Sequence, residues 1–430
     1  MSKLKNKKVS VVGLGYIGLP TAAMFALQKI EVVGIDVNQV VVDTINQGNI
    51  HIIEPDLDVA VRSVVNEGFL RATTTPEYAE AFIIAVPTPL KGKNHEPDLS
   101  FIEAASKLIA PVLQPGNLVI LESTVPIGGT EKMLNWLKDA RPDLKFPMTL
   151  EEDTEIHIAH CPERVLPGKV MIELITNDRI IGGMTSKCSD RAISLYKMFV
   201  KGECIKASCP RTAEMTKLSE NSFRDVNIAF ANELSLICDE QNINVWEIIH
   251  LANRHPRVGI LLPGPGVGGH CIAVDPWFIV DSAPQTAQLI KTSRLINNSK
   301  PEWVIKKILS RIEVIANHHY NKRQCDVSIA IYGISFKPDI DDLRESPALG
   351  VFLNLSNIHD GPIIIVEPNI QSLPTGLEHI ELSNIKNSIE ADLHVILVRH
   401  SAFTDISFLD KEVLDFVGLL SHVNKNKICL

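Results

Sequence analysis

The sequence predicts an α/β protein: two doubly wound parallel-sheet domains joined by a central helical domain with a long spine helix. Three observations predict it. Short β-branched runs alternate with helical periodicity through the first half of the chain, and the alternation returns in its last quarter. A glycine-rich turn follows the first of those runs directly. Between the two α/β regions, Arg211 to Gln241 shows helical periodicity without a single proline or glycine. These patterns divide the 430 residues into segments 1–205, 206–300 and 301–430.

The first elements are the most informative. Lys8–Val12 is a short buried strand, and Gly13-Leu-Gly-Tyr-Ile-Gly18 follows it at once. Leu19–Leu27 then reads as a helix, with Pro20 in the first turn where a missing N–H is tolerated. Glu31–Asp36 is a second strand ending in an acid 18 residues after Gly18. Strand, turn, helix, strand and terminal acid together form a dinucleotide-binding, Rossmann-like fingerprint. Gly13 makes the turn, Gly15 admits a pyrophosphate to the main chain, and Gly18 lets the helix pack on the strand. The helix N-terminus faces the phosphates. Asp36 suits ribose hydroxyls and repels a 2′-phosphate, so NAD is expected rather than NADP.

Further strands are expected at Ala81–Val86 and Asn117–Leu121, each running into a polar loop. Ligands of parallel sheets sit at the carboxyl ends of strands, which makes Thr88 and Thr124 candidate cofactor contacts. His160-Cys-Pro-Glu-Arg-Val165 follows another strand, and Ile180–Gly183 is a further one. The spine helix carries Met215, Leu218, Phe223, Val226, Ala229, Phe230 and Leu234 at mixed three- and four-residue spacing. A helix of this length suits a subunit interface. Lys217, Asn221 and Arg224 stand at i, i+4 and i+7 and share one face, aimed at a site.

Trp246–Ala252 continues the helical region, and Asn253–Arg257 is a basic loop. Four glycines crowd the stretch before Cys271, followed by an apolar run carrying Asp275. This reads as a tight loop presenting a thiol to a bound substrate. Pro284–Asn298 and Pro301–Asn317 are two helices, or one kinked at Pro301. The last region has strands at Asp326–Tyr332, Gly361–Glu367 and Ala391–Val398, with a helix over Pro347–Leu355. It lacks a second G-x-G-x-x-G turn, so it is expected to hold something other than a second dinucleotide.

Composition narrows the function. A net charge of −9 argues against nucleic-acid binding. No apolar run is long enough to span a membrane. The basic start, Met1 to Lys8, resembles a secretion signal, but Gly13, Gly15 and Gly18 break the apolar part. The cysteines are Cys161, Cys188, Cys204, Cys209, Cys238, Cys271, Cys325 and Cys429. Their spacing predicts neither a disulfide framework nor a metal site, and fits reduced thiols in a cytoplasmic protein.

Six ordered motifs carry a resemblance over nearly the whole chain: GLGYIG, STVPIGGT, CPER, AEMTKLSEN, PGPGVGGHCIAVDP and GISFKPDIDDLRESP. The chain resembles the UDP-glucose/GDP-mannose dehydrogenase family. The wording NRHPRV and PGPGVGGHCIAVDPWFI resembles the branch acting on UDP-N-acetylhexosamines, the manno epimer ahead of the gluco. The resemblance implies oxidation of a sugar C6 alcohol to a carboxylate with two NAD and one water, through a covalent thiol adduct.

The resemblance also implies roles. Cys271 is the nucleophile, Lys217 stabilises the reacting oxygen or, deprotonated, acts as a base, Asn221 holds the same oxygen or the attacking water, Asp275 belongs to the proton-transfer network, and Glu163 and Thr124 position the hydrolytic water. Arg164, Val165, Lys217, Asn221, Arg224, His255, Arg257, Gly268, Phe336 and Lys337 contact the UDP-sugar, with His255 and Arg257 supplied by the partner subunit of a homodimer or higher homo-oligomer. Phe336 replaces a tyrosine of the family pattern, which keeps the ring and loses a hydroxyl. Gly13, Gly15, Tyr16, Ile17, Gly18, Asp36, Thr88, Thr124 and Arg344 contact NAD. The product is an acidic sugar for a bacterial surface polysaccharide, such as enterobacterial common antigen or a capsule.

Overall fold

The computed structural model describes residues 8–148, 154–318, 322–370, 373, 377, 382–408 and 410–420. The basic start before Lys8 and Cys429 lie outside the described residues. The chain forms two compact units. The first holds the described residues up to Glu220 with Trp277–Pro284; the second holds Asn221–Pro276 with those from Gln285 onward.

The first unit is built on an eight-stranded sheet. Its spatial order is Cys204–Lys206, Arg179–Gly183, His157–His160, Leu118–Leu121, Ala81–Ile84, Lys8–Val12, Glu31–Ile35 and Leu70–Thr73. Neighbours are parallel except His157–His160 against Arg179–Gly183, where Ala159 faces Gly183 and His160 faces Gly182. Strands covered on both faces read as continuous apolar runs. Val9, Val11, Ile83 and Ile120 enter one core, while Val12, Phe82, Ile84 and Val119 enter the other. The order reverses between Lys8–Val12 and Ala81–Ile84, and the crevice at such a reversal is where parallel sheets bind ligands.

The second unit carries a five-stranded parallel sheet in the order Leu382–Ser383, Ile363–Val366, Ile329–Tyr332, Leu393–Ile396 and Glu412–Asp415. It is again a Rossmann-like doubly wound sheet, reversing beside Ile329–Tyr332.

The spine helix is continuous over Pro210–Glu240. Leu218 and Ala229 are buried, whereas Phe223 and Phe230 are 73% and 54% exposed. The two phenylalanines therefore contribute to a surface stripe and not to the core that their spacing also allowed. The alternatives around Pro301 resolve to one helix, Gln288–His318, with the proline inside it. Proline removes one helical hydrogen bond. Burial of Val304, Ile305, Ile308, Ile312 and Ile315 on the far side offsets that loss. The run after Cys271 becomes a helix, Asp275–Ser282.

Candidate active site

The glycines of the first turn have distinct jobs. Gly13 has φ 90°, a conformation that strains any other residue, and a Cβ on it would stand 2.6 Å from the Ala85 carbonyl oxygen. A Cβ on Gly18 would lie 1.7 Å from the Gly13 oxygen. Around Gly15 there is open space to at least 4 Å. The two outer glycines close the turn and the middle one leaves a cradle. Helix Gly18–Leu27 has no side-chain cap; in its first turn Leu19 and Thr21 donate to the Gly15 and Ile17 carbonyls and Pro20 has no N–H, which leaves the Gly18 amide to meet an anion. The Leu14 amide donates to Asp36 Oδ2 at 3.0 Å and the Asn38 amide to Oδ1 at 2.9 Å, which aims the carboxylate across the end of its strand. Tyr16 packs against the adjoining core.

Beside this cradle, Ser123 joins two strand ends. The Val86 amide donates to its Oγ at 2.9 Å and the Oγ donates to the Val86 carbonyl at 2.7 Å. This fixes the loops carrying Thr88 and Thr124. Thr88 Oγ1 is buried with no hydrogen-bond partner among the described residues. An orphaned polar atom at the mouth of the crevice fits a ligand contact. Open space at Gly15, the Gly18 amide, the Asp36 carboxylate and the Thr88 hydroxyl all fit NAD. With Asp36 in place, catalytic efficiency with NADP is expected to fall well below that with NAD; equal efficiency for the two in steady-state assays would contradict the assignment.

The same unit holds Glu163, Arg164 and Lys217. Glu163 is buried; its Oε1 accepts the Arg164 amide at 2.6 Å and its Oε2 lies 3.0 Å from Arg179 Nη1. That second contact has ion-pair distance without hydrogen-bond geometry, so Oε2 keeps acceptor capacity. The Arg164 guanidinium is committed within the protein, to Glu220 at 2.5 and 3.0 Å and to the Asp178 carbonyl at 2.9 Å. Any sugar contact at Arg164 or at the core-packed Val165 falls to backbone atoms or needs the guanidinium to be shared. Lys217 is buried at 8% exposure. No side chain pairs with its ammonium among the described residues. A buried cation without a carboxylate suits an anionic ligand or a developing oxyanion.

Sequence reasoning passed over Glu214, one turn before Lys217. Its buried carboxylate accepts the amides of Gly128 and Thr130 at 2.7 and 2.8 Å and the Thr130 hydroxyl at 2.6 Å. Burial, opposed by these donors, raises its pKa. This clamp ties the Thr124-bearing loop to the spine helix. An acid among apolar positions of a predicted helix was the available signal.

The second unit presents the thiol. Cys271 is exposed in a turn, and its carbonyl accepts the Asp275 amide at 2.8 Å, leading the chain into helix Asp275–Ser282. Asp275 is buried in that first turn, and Asn221 Nδ2 donates to its Oδ2 at 2.6 Å. Two predicted residues are thus joined one step from the cysteine. The glycine loop is anchored along its length: the Gly264 amide donates to Asn232 Oδ1 at 2.9 Å and the Gly269 amide to the Arg344 carbonyl at 3.2 Å. A Cβ on Gly268 would meet the Glu345 oxygen at 2.4 Å, and one on Gly269 the Phe336 ring at 2.9 Å. The glycines at 268 and 269 therefore serve close packing on Phe336, and the ring itself is what position 336 supplies. Asp225 and Arg294 form a buried ion pair at 2.7 Å, and Arg294 Nη1 reaches the Ile272 carbonyl at 3.4 Å, next to the cysteine.

The remaining expected contacts are more open. Arg224, His255 and Arg257 are exposed, Lys337 is half-buried, and Arg344 donates to Asp342 at 2.6–3.0 Å.

A dinucleotide cradle, a second doubly wound sheet and a presented thiol define a class, and the chain belongs to the UDP-glucose/GDP-mannose dehydrogenase family. Residues 7–200 match the family's NAD binding domain, 211–299 its central domain and 330–418 its UDP binding domain. It is an NAD-dependent dehydrogenase. Within the family, the chain is 60% identical to the UDP-N-acetyl-D-mannosamine dehydrogenase of Yersinia pestis, over 93% of this chain and 94% of that one. It is 56% identical to the NDP-N-acetyl-D-galactosaminuronic acid dehydrogenase of Ralstonia nicotianae over 96% of both. Its fold matches the solved UDP-D-ManNAc dehydrogenase of Pyrococcus horikoshii with a TM-score of 0.86 and 37% identity, covering 97% of each chain.

Proposed function

We propose that the chain oxidises the C6 alcohol of UDP-N-acetyl-D-mannosamine to the carboxylate, consuming two NAD and one water. The observation that carries this reading is the pairing of an NAD cradle with a presented thiol, Cys271, whose following helix begins at an Asn221-bound carboxylate. Relatives of about 60% identity set the sugar. NAD held at the Gly13–Gly18 turn and Asp36 would supply the hydride acceptor for both oxidations at C6. The protein's own residues do the rest. Lys217 holds the C6 oxygen and stabilises negative charge on it. The Cys271 thiolate adds to the aldehyde carbon, so the reactive intermediate stays bonded to the enzyme as a thiohemiacetal. After the second oxidation the adduct is a thioester. Water held at Glu163 and Thr124 attacks it, forming the C–O bond and releasing the Cys271 sulfur. Asn221 and Asp275 support the oxygen and the proton transfers. The UDP phosphates call for cationic donors, which Lys337 and Arg257 provide, with His255 as a further hydrogen-bond donor.

Three functional segments serve this reading: cofactor in 1–205, thiol loop and spine in 206–300, and nucleotide sugar in 301–430. We assign the enzyme to the cytoplasm, where NAD and UDP-sugars are held and where the free cysteines of the structure persist. The acidic product suits a surface-polysaccharide precursor.

The 56% relative favours one second reading, a galacto-configured substrate. Initial rates with UDP-N-acetyl-mannosamine, -glucosamine and -galactosamine decide between them. The manno epimer is expected to be oxidised fastest by at least tenfold; preference for either other sugar would reassign the substrate.

Phe223, Phe230 and Ile237 recur at seven-residue spacing and are 73%, 54% and 50% exposed. Such a stripe on a long helix supports a homodimer through the spine. Phe223→Asp combined with Phe230→Asp is expected to halve the mass measured by light scattering. An unchanged mass would place the interface elsewhere.

A further inference from the structure

Behind Glu163 lies a buried cluster that the reaction scheme does not use. Glu122 directly follows the strand Leu118–Leu121 and is 1% exposed. Its Oε1 lies 3.0 Å from Arg179 Nη1, and the same nitrogen lies 3.0 Å from Glu163 Oε2. Tyr196 donates its hydroxyl to Glu122 Oε1 at 3.1 Å, and Thr21 donates to Oε2 at 3.2 Å. The Arg179 guanidinium also stacks over the Tyr196 ring, 4.8 Å from its centroid. The charged and titratable groups facing Glu122 are therefore Arg179 from Arg179–Gly183, Glu163 and Cys161 from the segment after His157–His160, and Tyr196 from Ser186–Tyr196. Thr21 of Gly18–Leu27 is its remaining polar neighbour.

We propose that Glu122 is a positioning residue for thioester hydrolysis, acting through the shared Arg179 to set how freely Glu163 holds the attacking water. This rests on the reading of Glu163 as the residue that holds the hydrolytic water. Two buried carboxylates around one guanidinium carry a net negative charge, and such a cluster retains a proton on one of them. Burial pushes the Glu122 carboxyl up to about 7. Below that pH Glu122 is neutral and Arg179 is held by Glu163 alone. Above it Glu122 ionises and draws on Arg179. Glu163 Oε2, which has no hydrogen-bond partner among the described residues, is then freer to accept from the attacking water. The water oxygen bonds to the acyl carbon, the Cys271 sulfur leaves as thiolate, and the water proton passes to Glu163.

Single-turnover assays with the UDP-sugar aldehyde and NAD, quenched and read for acid and for acyl-enzyme mass, isolate this step. In the wild type, hydrolysis is expected to quicken roughly five- to tenfold between about pH 6 and about pH 8, while thioester formation shows no matching step. Glu122→Gln fixes the neutral form, so the step should vanish and the low-pH rate persist. A wild-type profile in Glu122→Gln would overturn the proposal. Tyr196→Phe removes a donor that favours ionised Glu122, so its step should move to higher pH; an unmoved midpoint counts against the proposal even if Glu122→Gln fails to fold. Glu163→Gln is the control for the underlying reading. Hydrolysis at the wild-type rate in that variant would remove Glu163 from the scheme and the proposal with it, whereas slowed hydrolysis there with an unaltered step in Glu122→Gln would remove Glu122 alone.

Discussion

Replacing Cys271 by serine is expected to lower acid formation by three orders of magnitude or so while leaving NAD affinity unchanged, because the hydroxyl cannot ionise to trap the aldehyde. The residue is exposed in a turn, and serine at 271 changes none of the side chains of the Gly13–Gly18 turn or Asp36. Isothermal titration with NAD and product analysis by mass spectrometry check the two halves of the expectation. Full acid formation at the normal rate would remove the covalent step.

The second large effect belongs to Lys217. Its side chain is largely buried and its ammonium lacks a side-chain partner among the described residues, so the charge is available to a ligand. Lys217→Met keeps most of the volume and removes the charge. Activity is expected to fall by about 10²–10³-fold, as for loss of an oxyanion donor. Stability should not fall with it, since an unpaired buried charge contributes nothing favourable to folding. A variant with normal kcat would show that Lys217 is structural. A marked drop in melting temperature would show that the lysine has a partner in the folded chain.

Both residues are legible in the amino-acid sequence, for different reasons. Cys271 stands out because four glycines precede it, and Gly13, Gly15 and Gly18 because a strand and a helix bracket them. Lys217 and Asn221 are four apart on a helix whose other positions are apolar, and helix geometry alone joins them. Strands that are buried on both faces, such as Lys8–Val12 and Ala81–Ile84, announce themselves as unbroken apolar runs.

What is not legible there depends on long-range pairing. Glu122 and Arg179 are 57 residues apart, and nothing local says that they meet over one guanidinium. Glu214 and Thr130 are 84 apart, yet their contact fixes the loop of Thr124. Periodicity could not tell that Phe223 and Phe230 point to solvent, because an interface stripe and a core stripe have the same spacing. The glycines of the thiol loop show a subtler limit. Their conformational freedom is readable, but the objects they approach are the Glu345 carbonyl at 268 and the Phe336 ring at 269, both of the same chain.

The central claim is a four-electron oxidation that retains the aldehyde on Cys271. Counting NADH formed per molecule of UDP-N-acetyl-D-mannosamine consumed, with the product identified in the same sample, tests it most directly. The account predicts two NADH for each sugar and the carboxylate as sole product. One NADH for each sugar, with free aldehyde in solution, would contradict it.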